Sequence, residues 1–242
     1  MLGLDPWVLA AIAVGVLVGA AVQGVAGLGL NLMSAPVVTV VAPDLMPVVP
    51  LYLAVVYPLA SLSREWRDAD FAGLRWALGG RVPGTAVGVL VVAWASDRLL
   101  GVSIGLMVLL AVLLTWRSIR VPVTAGSLGV AGFVAGVTGT ATSIGGPPVA
   151  ILYQHRDSAQ IRATLAVFFV VGALLSLAGL GIGGQLGAHD LYVALLLTPM
   201  LVGGHLLAGV VRSRVDAAHT RAWVLIVCGA SGAALLVRSL VG

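Results

Sequence analysis

Lysine is absent from this 242-residue chain and charge of either sign is scarce: 13 basic residues, all Arg, and 9 acidic ones make up 9% of it. Against 60% hydrophobic residues and a mean hydropathy of +1.11, that is too little polar surface to coat a soluble globule. The single cysteine, Cys228, excludes a disulfide framework and a cysteine-based metal cluster. No Asp or Glu falls deep inside an apolar run, since Asp44, Asp97 and Asp190 all mark loops. This argues against a carboxylate-lined cation site and against a proton relay built on acids. The net charge of +4 sits in short loop clusters, which fits contact with anionic lipid and excludes a nucleic-acid partner.

What is present is a series of membrane-length apolar runs. They occur at about 7–28, 45–63, 71–95, 99–116, 124–143, 163–183, 191–211 and 222–240, each long enough for roughly 30 Å of hydrocarbon. The expected class is therefore an all-α, polytopic helical bundle of eight full spans. All six Trp lie within a few residues of a run's end, where indole rings favour the headgroup region. Met1 to Asp5 lacks a positive stretch and leads directly into a long helix, as in an uncleaved anchor.

Two glycine- and proline-rich breaks interrupt this pattern. The first is Gly24 to Asn31, followed by Pro36; the second is Gly139 to Pro148. Each precedes an apolar piece too short to cross, at about 30–42 and 146–153. Laying Ile144-Gly145 over Leu28-Gly29 brings the short pieces and the following spans into register, which predicts an internal duplication, 1–118 and 124–242, forming one transport domain. If each short piece returns to the side it came from, the clusters at Arg64/Arg67, Arg117/Arg120, Arg156/Arg162 and Arg212/Arg214/Arg221 share one face. The positive-inside rule then makes that face cytoplasmic and the repeats inverted, with both chain ends outside. Gly-x-x-x-Gly spacings such as Gly80/Gly84/Gly88 and Gly132/Gly136 read mainly as close helix packing.

Paired breaks at matching points of two repeats are the best sequence pointer to a transporter's binding site. Broken backbone inside a membrane is tolerated only where protein or a water-filled cavity satisfies it. Short helices beginning near Leu30 and Pro147 would offer free N–H groups and positive dipole ends to an anion. The candidate substrate-binding residues are Gln23, Gly27, Gly29, Asn31, Arg81, Thr140, Ser143, Gly145, Gly146 and Pro147. Glycines here would let a ligand approach the backbone, and Pro147 suits a first helical turn. Arg81 lies about 15 Å into its span, too deep to snorkel easily, and is the candidate counter-charge for an anion. His205, in the matching span of the second half, is a candidate proton-coupling group, although helix packing is the commoner role for such a residue. No cofactor and no metal is called for, and a nucleotide loop is excluded because no βαβ unit surrounds the glycines.

Gly27-Leu28-Gly29, Ile144-Gly145-Gly146-Pro147-Pro148, Pro36 and the duplication resemble the sulfite exporter TauE/SafE family of membrane permeases, over nearly the whole chain. The first half departs from the pattern at Leu30-Asn31, where further glycines are common. The resemblance implies a permease carrying sulfite, sulfonates or related small organic anions across the inner membrane, with the lipid bilayer as its other partner and a proton or other ion for coupling. An anion channel using the same site, or a carrier of a non-sulfur organic anion, is the alternative reading. A membrane-embedded enzyme would need a nucleophile, a metal cluster or a carboxylate pair within the bilayer, and none is evident. Direction, coupling ion and oligomeric state leave no mark in the sequence.

Overall fold

A computed structural model describes residues 5–27, 29–117 and 121–212, with parts of 226–240. Among the described residues every regular element is helical: α1 (Pro6–Ala26), α2 (Leu30–Val41), α3 (Val48–Glu65), α4 (Phe71–Trp94), α5 (Asp97–Arg117), α6 (Ala125–Thr142), α7 (Pro147–Tyr153), α8 (Ser158–Ile182) and α9 (Ala188–Arg212). Single 3-10 turns at Pro43–Leu45 and Trp66–Asp68 lead into α3 and α4. The chain is an all-helical, multi-pass membrane protein. Four described helices, α1, α4, α8 and α9, are long and apolar enough to cross by length and composition alone. The remaining expected spans are weaker: the apolar stretches of α3 and α5 are shorter, at Val48–Leu59 and Arg98–Leu113, and glycine and threonine dilute α6. Parts of the expected last span, with Trp223 and Cys228, lie outside the described residues, as do Arg120, Arg214 and Arg221.

Helix starts follow their caps. Asp70 accepts a hydrogen bond from the N–H of Gly73 at 2.9 Å, and Thr124 and Ser127 form a reciprocal capping box at the start of α6. Asp157 likewise accepts from Ala159 N–H at 2.9 Å. That cap starts α8 at Ser158, earlier than the expected 163, because a capped first turn tolerates Gln160 and Arg162 at the membrane edge.

Both short helices fold back along the long helix before them. A Cβ added to Gly15 would lie 3.4 Å from the Val37 side chain, and one on Gly19 would meet the backbone of Leu30, so α2 runs antiparallel to α1. In the second half, a Cβ on Gly145 would lie 2.7 Å from the Ala135 carbonyl and 3.0 Å from Gly139 Cα, so α7 returns along α6. At one end of the bundle Val8, Ala42, Leu45, Val49 and Val193 share a core, and Arg98 donates to the Leu240 carbonyl at 2.6 Å. At the other end Tyr153 donates to Asp70 Oδ2 at 2.9 Å, and Asp70 N–H donates to Thr164 Oγ1 at 3.0 Å. We call these the first and second faces. The loops at 66–70, 121–124 and 154–157 lie at the second face, and so do the backbone positions of Arg64, Arg117 and Arg212.

The helix pairing is crosswise. α4 packs along α6, α9 along α1, and α3 against α8. Glycines bring the first two pairs to backbone contact: a Cβ on Gly84 would strike the Phe133 carbonyl, and one on Gly204 would strike the Leu17 carbonyl. The Gly-x-x-x-Gly spacings of α4 and α6 are thus spent on packing, where small residues let backbones approach in lipid.

Candidate functional site

The two breaks meet around a cavity of about 40 Å³, room for about three water-sized groups and far too small for a nucleotide. From the first half it is lined by Gln23, Gly29, Leu30, Asn31, Leu51 and Ala54 among others, and from the second by Ser143 to Pro147, Phe169 and Ala173. Arg81 of α4 joins it from the side.

Each break is built by a few local rules. α1 ends at Gly27, whose φ of 82° is the left-handed conformation that glycine adopts cheaply, and whose N–H donates to Gln23 O at 2.7 Å. The Gln23 side chain then accepts the Leu30 N–H at 3.0 Å, capping α2 across the break. Asn31 donates to the Ser143 carbonyl at 2.8 Å and to the Pro50 carbonyl at 3.3 Å, tying the first break to the second. Ser143 itself ends α6 with φ 59°, and Pro147 opens α7, where a missing N–H costs nothing.

Among the described residues, Arg81 is the only full charge lining the cavity. It is 3% exposed, and neither Nε nor Nη1 has a hydrogen-bond partner among the described residues. Its Cζ stands 4.6 Å from the centroid of the Phe168 ring, a cation–π contact that holds the guanidinium without occupying its donors. Three glycines make the space: a Cβ on Gly139 would lie 3.0 Å from Nη2, one on Gly145 would lie 3.2 Å from Nη1, and one on Gly172 would strike Cζ and Nε. A buried, unpaired cation is expensive, so a group kept in that state points to an anion that completes it.

Gln23, Gly29, Asn31, Arg81, Ser143, Gly145, Gly146 and Pro147 all line this cavity. Three candidates do not. Gly27 serves as the C-cap of α1, beside the stem of Arg162. Thr140 is fully buried and shares a 2.8 Å hydrogen bond with Ser176 on α8. His205 lies against Tyr57, with ring centroids 5.7 Å apart and planes at 73°, away from the cavity. The reason expected for the glycines also needs correction. At Gly29, where φ is 149°, a Cβ would strike Val22, and at Gly146 it would lie 2.8 Å from the Phe169 ring. Gly29 is required by its backbone angle and by Val22, whereas a side chain at Gly146 would have to displace the far end of the Phe169 ring. Phe168, Phe169 and Gly172 were not legible as site residues: the Phe pair and a glycine four residues on mark one face of α8, but nothing local says which helix that face meets.

The model of the sulfite exporter TauE/SafE family matches residues 11–235, a stretch that contains both breaks, Arg81 and every cavity residue. No curated protein and no solved structure matches the chain. On the strength of a match over nearly its whole length, the chain belongs to the TauE/SafE sulfite exporter family of membrane transporters.

Proposed function

We propose that the chain is a secondary permease for small oxyanions, sulfite or a short sulfonate, working in the inner membrane, with the substrate held between the two breaks and Arg81 as its counter-charge. The observation that carries this is the guanidinium buried in the cavity wall, with its Nε and Nη1 unpartnered among the described residues. Its planar fork suits two oxygens of one anion. The N-terminus of α2 adds dipole of the right sign, and the family supplies the sulfur.

The crosswise packing supports reading 1–118 and 124–242 as inverted repeats. Laying Gly145 over Gly29 puts Phe133 over Leu17, and laying Asp190 over Asp70 puts Gly204 over Gly84. Those two independent registers describe the same contact twice, Gly84 on the Phe133 carbonyl and Gly204 on the Leu17 carbonyl. The arginine clusters at the second face make that face cytoplasmic under the positive-inside rule.

Flux of labelled sulfite and methanesulfonate into proteoliposomes tests the assignment. Saturable anion uptake is expected, with Arg81→Ala at background and Arg81→Lys between the two. Movement of a cation instead, or parental flux in Arg81→Ala, overturns it.

A further inference from the structure

The helices around the cavity bring Arg81 to it and, among the described residues, no second charge. α1, α2 and α6 contain no titratable residue at all. On α3, Tyr57 donates its hydroxyl to the Ala20 carbonyl at 2.7 Å, Tyr52 packs among apolar side chains, and Arg64 and Glu65 stand in the last turn. Tyr153 of α7 donates to Asp70 Oδ2 at the second face. α8 carries only Arg162, about 10 Å short of Phe169 along the axis. α4 carries Arg75, about 9 Å before Arg81 and over the Trp76 ring, and the carboxylate that caps this helix, Asp70, is about 16 Å away along the axis. His205 of α9 lies against Tyr57.

The polar side chains beside Arg81 are largely committed to the chain. Asn31 Nδ2 donates to the Ser143 and Pro50 carbonyls, Gln23 Oε1 accepts the Leu30 N–H, and Ser143 Oγ donates to the Thr142 carbonyl at 2.6 Å. Leu32, Leu51, Ala54, Phe169 and Ala173 add apolar wall.

This inventory fixes the charge that the cavity can hold. One negative charge beside the guanidinium makes the loaded site neutral. Two leave a negative charge uncompensated in a buried site with an apolar wall, where an unpaired ion is costly.

We propose that the transporter selects its substrate by charge: it carries oxyanions that bear a single negative charge and rejects the dianion of the same shape. This rests on reading the cavity as an anion site. Sulfite is then carried as hydrogensulfite, and sulfate is excluded.

Four labelled anions separate charge from shape. Methanesulfonate and sulfate are both tetrahedral and differ at one corner, a methyl group against a charged oxygen. Methylphosphonate has the outline of methanesulfonate but, like sulfite, loses its last proton near neutral pH. Uptake into proteoliposomes is measured at about pH 6 and about pH 9, on either side of that ionisation and equal inside and out, with uptake into protein-free liposomes subtracted. Expressing each flux relative to methanesulfonate at the same pH cancels the transporter's own titration. The relative fluxes of sulfite and methylphosphonate should each fall at least about tenfold from the lower to the higher pH, following the loss of their monoanions. Sulfate should stay at background at both. Relative fluxes that ignore pH, or sulfate carried as fast as methanesulfonate, overturn the selection and leave the anion site standing. Failure of all four anions at both pH values, in protein that is monodisperse when recovered from the liposomes, overturns the anion site and the selection together.

Discussion

Replacing Arg81 with methionine should make the protein more stable and inactive at once. A guanidinium near the middle of a span costs about 2.5–3.5 kcal/mol relative to an apolar side chain on insertion scales. The contact with the Phe168 ring, 4.6 Å away, offsets about 1–2 kcal/mol of that. Among the described residues, no hydrogen bond to Nε or Nη1 offsets more. Methionine fills the same slot between Gly139, Gly145 and Gly172, keeps a favourable sulfur–aromatic contact with Phe168 and leaves no charge behind. The balance is a gain of about 1–2 kcal/mol, or about 3–6 °C in the melting temperature of a chain this size. Thermal unfolding of the purified protein in detergent measures it. Methanesulfonate at a hundred times its Kd should add about 2.7 kcal/mol to the parent and nothing to Arg81→Met. A less stable Arg81→Met that still transports would refute the reasoning, because Arg81 would then be a satisfied structural group.

Three further outcomes follow from the same geometry. Gly172→Ala should abolish transport, because its Cβ displaces the guanidinium, whereas Gly79→Ala, with nothing within 4 Å, should transport like the parent; a transport-competent Gly172→Ala would mean that the guanidinium position is immaterial. Asn31→Ala should cost about 1–3 kcal/mol in unfolding measurements, since it strands the Ser143 carbonyl that it now satisfies at 2.8 Å; an unchanged transition would mean that the two breaks are not joined there. Cysteines introduced at Ser96 and at His155, both exposed and on opposite faces, should be labelled by an impermeant thiol reagent from outside and from inside respectively; labelling of both from one side would overturn the assigned orientation.

Membrane class, the two breaks and the starts of both short helices were legible because each is a local property. Apolar runs of span length, Gly27 and Gly29 before Leu30, and Gly146 before Pro147 act on their own stretch of backbone whatever surrounds them. Arg81 was legible for a similar reason: its depth can be counted from the end of its own helix. Which residues gather around it could not be read. A soluble helix advertises its buried face by an apolar stripe, but in lipid both faces of a helix are apolar and the stripe disappears. So Thr140, within one turn of cavity-lining Ser143, is spent on Ser176, while Gly172 and Phe168, unremarkable in an apolar run, form the seat of the charge. The sequence by itself determined that the chain is an apolar helical membrane protein and where its helices break. Only the tertiary structure decided which broken ends face each other and which glycines make room for an arginine, because those choices depend on backbone contacts between helices far apart in the chain.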